Sequence, residues 1–339
     1  MAEVVLVTGV SRYLGGKFAR QLTADPSVER VIGVDVIPPP HDIGRAEFVR
    51  ADIRNPMIGK IIAQAEVDTV VHMNVIATPV SAGGRVSQKE INVIGTMQLL
   101  AACQKAAGLE RLVVKSSSAV YGSSSRDPAM FTEDMSAKRM PRTGYAKDVL
   151  EVEGYVRGFA RRRRDVAVTM LRAANSVGPT VSSPLTRYFR LPVVPTVLGY
   201  DARLQFLHED DLLGVLRHAT LGGVHGTFNV AGDGVLMLSQ ALRRLGRPMV
   251  PVPTFALGSL GSVSRQAGIK GLQTELVGYL TFGRGIDTSR MRAVLGFRPS
   301  YTTAEAFADF GRTVAPGLLP RPSGSFRVDR AVSAGGPHG

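Results

Sequence analysis

Five apolar runs recur along the first half of the chain: VVLVTG (Val4 to Gly9), VIGVDV (Val31 to Val36), VDTVVHM (Val67 to Met73), RLVVKSS (Arg111 to Ser117) and VAVTMLR (Val166 to Arg172). Helical patterns separate them, one starting near Gly15 and others around 57–64, 87–106 and 146–164. Strands that are apolar almost throughout must be covered on both faces, and strands that alternate with helices pair in parallel. The pattern predicts an α/β fold with a Rossmann-type doubly wound parallel sheet. Ligands of such sheets lie beyond the C-terminal ends of the strands.

After Arg172 the rhythm loosens, with prolines at 179, 184, 192 and 195. The expected division is a nucleotide-binding domain over 1–175, with segments near 203–232 returning to it, and a smaller discontinuous lobe for the substrate over 176–315. The Pro-, Gly-, Ser- and Arg-rich stretch 316–339 reads as a disordered tail.

With 339 residues, 44% of them hydrophobic, the chain can bury a large core without covalent staples. Its one cysteine, Cys103, excludes an internal disulfide framework and favours a reducing, cytoplasmic setting. The first residues lead straight into a strand pattern and predict no secretory leader. No apolar stretch reaches the roughly 18 residues of a spanning helix. A net charge of +13 would suit an anionic partner, but it is spread along the chain except at Arg157 and Arg161 to Arg164. Those arginines end a helical pattern, where cations complement the helix dipole. Without interleaved aromatics they predict no specific nucleic-acid binding and, at most, weak attraction to an anionic surface.

TGVSRYLGG (Thr8 to Gly16) follows the first strand and opens the first helix, which is where a dinucleotide turn belongs. Such a turn needs glycine where the chain bends, where backbone nears the pyrophosphate and where helix packs on strand. Gly9 and Gly15 take the first and third places, and Arg12 takes the middle one. A guanidinium there either obstructs the diphosphate or replaces a backbone contact with a charged one. Asp35 ends the second strand twenty residues after Gly15, placed to bind ribose hydroxyls and to repel a 2′-phosphate, so the expected cofactor is NAD. ADIRN puts Asp52 and Ile53 where an adenine ring could rest.

Taken in order, TGVSRYLGG, VIGVDV, ADIRN, VVHM, NVIGTMQLL, SSSAVYG, GYAK, LRAANSVGP, FLHEDDL, GTFNVAGDG and TSRMRAVLGFRPSY resemble the extended short-chain dehydrogenase/reductase family. Within it they resemble the NAD-dependent epimerase/dehydratase group that includes UDP-glucose 4-epimerase. The resemblance implies a nucleoside-diphosphate sugar as substrate. It gives Ser117 the hydrogen bond to the reacting oxygen, with Ser116 and Ser118 as alternates, and makes Tyr145 the general base. It sets Tyr13 and Leu14 beside the pyrophosphate, and Met73, Asn74 and Val75 along the cofactor. Asn92 opens a helix beside the cofactor, Asn175 meets the substrate's diphosphate, and Arg203 stands one residue from a phosphate-binding position. A homodimer through helices near 90–105 and 146–160 is also implied.

The resemblance breaks at one place. Where the family has lysine, four residues after the tyrosine, this chain has Val149, although Glu153 keeps the frame. The lysine's charge favours tyrosinate and its ammonium holds the nicotinamide ribose. Lys147 points to another face of the helix, and Lys115 is a conceivable substitute from a neighbouring strand. Two functions therefore stand side by side: an epimerase, dehydratase or oxidoreductase, or a catalytically impaired NAD(H)-binding sensor or scaffold. FLHEDDL predicts no metal site, because consecutive residues point in different directions; Asp210 or Asp211 is expected to cap the helix that follows.

Overall fold

A computed structural model of the protein describes residues 3–73, 75–77, 83–142, 144–253 and 274–322. Asn74, most of the PTFALGSLGSVSRQAGIKGL segment and the tail beyond 322 lie outside the described residues. In chain order the first elements are β1 (Val4–Thr8), α1 (Tyr13–Thr23), β2 (Arg30–Asp35), β3 (Glu47–Arg50), α2 (Met57–Gln64) and β4 (Thr69–His72). Next, α3 (Arg85–Lys89) widens through a π-helical stretch (Glu90–Gly95) into α4 (Thr96–Lys105). β5 (Arg111–Ser117), α5 (Gly144–Arg162) and β6 (Ala167–Ala173) follow. The second half contains β7 (Asn175–Val177), α6 (Pro184–Phe189), β8 (Val194–Val197), β9 (Arg203–Leu204), β10 (Phe206–His208) and α7 (Glu209–Gly222). It ends with β11 (Gly226–Val230), β12 (Leu236–Met237), α8 (Leu238–Arg244), β13 (Met249–Val252), α9 (Thr274–Phe282) and α10 (Thr303–Arg312).

Seven strands form one sheet in the order β11-β6-β5-β4-β1-β2-β3, all of them parallel. The order reverses between β1 and β4, and a crevice at such a reversal is the expected ligand site. All four residues of β4 are buried, as are five of the six in β2, which is why these strands read as unbroken apolar runs. β3 is an edge strand with no fully buried residue, so its sequence gives a weaker signal. β11 returns to the sheet beside β6 after the long second-half excursion.

Two hydrophobic cores result among the described residues. One surrounds the sheet and includes Val149, Phe159 and Cys103; the other gathers Tyr188, Phe189, Phe206, Phe307 and Phe310 under α6, α8 and α10. Burial pushes the Cys103 thiol up to about 12, leaving it a core side chain without nucleophilic character. No helix among the described residues is long and apolar enough to cross a membrane.

The arginine cluster is mostly exposed, and three of its members are tied to neighbouring groups. Arg157 pairs with Glu153, Arg162 donates to Gln104, and Arg163 donates to Asp165 and to the carbonyls of Cys103 and Ala106 at the end of α4. The cap of α7 corrects the expectation from sequence. His208 fills that place, accepting from the Asp210 amide at 3.2 Å. Asp210 turns outward to Lys17, and Asp211 accepts the amides of Ser300 and Tyr301. A carboxylate on the helix's own first turn cannot double back to cap it when a remote loop offers two donors.

Candidate active site

The turn after β1 has the geometry of a cradle. Gly9 sits at φ +83°, a left-handed conformation that glycine adopts without cost. A Cβ on Gly15 would lie 2.2 Å from the Gly9 carbonyl oxygen, so helix and strand meet there backbone to backbone. The N-terminus of α1 carries no acidic residue in its first turn and no side-chain cap, which leaves its amides and dipole to an anion. Asp35, at the end of β2, accepts the amides of Ser11 and Val36 and is buried. This first turn fits the phosphates and ribose of a dinucleotide.

Two cavities open along the crevice. One, of about 390 Å³, is lined by Asp35, Asp52, Ile53 and Arg12. Asp52 is held there by a forked pair with Arg54, which keeps its carboxylate below the usual range. The other, of about 470 Å³, begins at Gly9, Tyr13, Leu14 and Gly15, passes Met73 and Val75, and ends at Ser117, Tyr145 and Asn175. Arg12 lines both, so its side chain stands at their junction. Burial lowers its pKa, against the pull of Asp35.

Ser117 closes β5 and Tyr145 opens α5, and their side chains hydrogen-bond each other. Burial pushes the Tyr145 phenol up to about 12, and the charges of Glu275 and Asp148 add to the rise. The Ser117 bond and the Arg284 charge oppose it. Val149 is wholly buried in the sheet core. Lys147 pairs with Glu151 on the outer face. Lys115 lines the larger cavity, two residues before Ser117 on the same face of β5. Its strongest charge neighbour is Arg12, which with burial lowers its pKa.

Two candidates lie elsewhere. Asn92 is buried and clasps Ile76, accepting its amide at 2.7 Å and donating to its carbonyl at 3.0 Å. Arg203 lies on β9 and lines neither cavity. Four charged residues that the sequence reading did not single out surround Tyr145. Asp148, fully buried, takes a fork from Arg85, which also donates to the Gly144 carbonyl at 2.9 Å. Glu275 of α9 accepts the Ala146 amide, and burial raises its pKa. Arg284 donates to the Gly122 carbonyl at 2.7 Å and to the hydroxyls of Ser118 and Ser123. No spacing rule links 275 or 284 to 145, and only the tertiary fold brings them together.

A doubly wound sheet with a glycine cradle, an acid closing β2 and a serine–tyrosine pair across the crevice defines a dinucleotide-dependent protein of the short-chain dehydrogenase/reductase type. The profile of the NAD-dependent epimerase/dehydratase family matches residues 5–231, and this chain belongs to that family. It is 52% identical over 324 residues to an uncharacterized protein of Mycobacterium tuberculosis, covering 94% of this chain and 86% of that one. Among solved structures it resembles the dTDP-glucose 4,6-dehydratase of Bacillus anthracis in complex with NAD (TM-score 0.70, 18% identity, 92% of this chain and 96% of that one). It also resembles the UDP-glucose 4-epimerase of Stenotrophomonas maltophila with bound NAD and formylated UDP-arabinopyranose (TM-score 0.71, 19% identity, 92% and 98%). At these identities the likeness is one of fold.

Proposed function

We propose that this chain binds NAD(H) along the crevice and acts on a nucleoside-diphosphate sugar beside Ser117 and Tyr145, in the manner of a UDP-glucose 4-epimerase. The observation that carries the reading is one continuous cavity wall running from the glycine cradle to the Ser117–Tyr145 pair. Asp35 and the α1 amides would hold the ribose and phosphates; Asp52 and Ile53 would flank the adenine; Met73 and Val75 would line the nicotinamide half. Asn175 would meet the substrate's diphosphate. Bound NAD supplies a hydride acceptor. Ser117 orients the reacting oxygen, and the Tyr145 Oη exchanges its proton. Exposed Ile94, Met97 and Tyr155 on the π-helical stretch, α4 and α5 support a homodimer through that face.

The phenol's pKa sets the direction of easy chemistry. With a pKa near 12, about one tyrosine in a hundred thousand is ionised at pH 7, against about one in a thousand for a free side chain. Protonated Tyr145 is ready to give a proton to a carbonyl; taking one from a hydroxyl requires the rare tyrosinate. Turnover that begins by oxidising the sugar should therefore climb about tenfold per pH unit from 7 to 10, with no plateau near neutrality. Carbonyl reduction with NADH should stay flat over the same range. Following UDP-glucose and UDP-galactose interconversion across that range, with Tyr145→Phe as control, tests the reading.

The complete burial of Val149 favours a second reading, in which the chain binds NAD(H) as a sensor or scaffold without turnover. It predicts NAD(H) affinity by calorimetry with no interconversion at any pH. Absence of NAD(H) binding eliminates both readings. Because Arg12 stands where the cavities join, Arg12→Gly should weaken NAD binding by about 10- to 100-fold at low salt, the worth of a charge-assisted hydrogen bond. It should also flatten the salt dependence, and a calorimetric titration at two salt concentrations reads both effects.

A further inference from the structure

We propose that Arg284 is a specificity residue for an acidic sugar: the structure assigns it to a carboxylate carried by the sugar next to the reacting carbon. The inference rests on the nucleotide-sugar reading and narrows its substrate class. Arg284 emerges just after α9 and reaches across to the loop that follows β5. There its Nε donates to the Gly122 carbonyl, one Nη to Ser118 Oγ at 3.4 Å and the other to Ser123 Oγ at 3.1 Å. Ser118 adjoins Ser117, and Arg284 is the cation that acts on Tyr145. The guanidinium therefore stands beside the reactive pair. It lines neither of the two cavities, whose own cations are Arg12, Arg54 and Lys115.

Every acceptor that Arg284 meets is neutral. Among the described residues it forms no ion pair: Glu275 and Asp127 act on it only at longer range, and the Tyr279 ring lies 5.4 Å away. The other buried guanidinium of this region, Arg172, is forked onto Glu153. A cation deep in a protein is costly unless an anion completes it. As a residue Arg284 is only partly buried, so it is not sealed in the core. A planar fork with free donor positions beside the reactive hydroxyl matches a carboxylate in two parallel hydrogen bonds. A neutral hydroxymethyl group would leave the charge uncompensated.

The test is calorimetry on the full chain saturated with NAD, using UDP-glucuronate, UDP-glucose and UDP as probes. Wild type should bind UDP-glucuronate at least tenfold more tightly than UDP-glucose. Arg284→Gln should abolish that preference while leaving UDP and UDP-glucose within about threefold of wild type, and Arg284→Lys should keep part of it. Unaltered NAD affinity in both variants certifies their folding. Equal affinity of wild type for the two sugars, or a preference that survives in Arg284→Gln, overturns the assignment. If Arg284→Gln weakens UDP as much as UDP-glucuronate, the residue serves the diphosphate and the carboxylate assignment is wrong. If wild type binds NAD but none of the three probes, the nucleotide-sugar reading itself fails.

Discussion

Glu153→Ala should cost the fold about 3–5 kcal/mol, measured by urea denaturation, because it strands a buried cation. Glu153 has no exposed surface and binds Arg172 through both carboxylate oxygens, at 2.9 and 2.7 Å. It also accepts from Ser116 Oγ at 2.6 Å and from Arg157 at 3.0 Å. Removing it leaves Arg172, itself buried, with only the Tyr121 hydroxyl and the Glu133 carbonyl. The strand that ends in Ser117 and the helix that begins with Tyr145 are joined through this carboxylate, so activity should fall along with stability. A loss below about 1 kcal/mol would show that water or repacking compensates the charge and that the cluster does not brace the site.

Gly15→Ala should remove measurable NAD binding and destabilise the protein by about 3 kcal/mol, the upper range for overpacking. The new methyl carbon would sit 2.2 Å from the Gly9 oxygen and 2.8 Å from the Gly9 carbonyl carbon. Both are main-chain atoms of the turn, so no rotamer change relieves the clash. Relief requires α1 to lift from β1, which moves the amides at its N-terminus away from the diphosphate. Calorimetric titration with NAD together with a melting curve separates the two losses. An alanine variant that binds NAD like the parent would show that the helix can shift without harm and that the close approach is incidental.

What could be read from the sequence follows from how each feature is encoded. β1, β2, β4, β5 and β6 are legible because both faces of each strand are covered. β3 gives a weak signal because an edge strand is half solvated, and β11 is legible only as part of the segments near 203–232 that return to the nucleotide-binding domain, because it rejoins the sheet from a distance. On the cofactor side, Gly9, Gly15 and Asp35 stand out because their roles depend on backbone and on fixed spacing within one βαβ unit. The surroundings of Tyr145 stayed unread. Glu275 lies 129 residues from its partner amide and Arg284 lies 166 from Ser118, and neither position carries a local pattern. The replacement of lysine by Val149 was plain in the sequence. That Lys115 settles beside Arg12, and that Arg284 is the cation acting on Tyr145, depended on side-chain placement that only tertiary packing decides.

Glu275 accepts the Ala146 amide, and its carboxylate fills the space where a side chain on Gly144 would sit, with Gly144 itself at φ +74°. The helix bearing the tyrosine thus takes its first turn from a residue of the second half of the chain, where helices commonly recruit a neighbour two or three positions away. Docking of α9 and ordering of the phenol become a single event: whatever draws that segment inward also aims the hydroxyl, and whatever pulls it away unwinds the start of the helix.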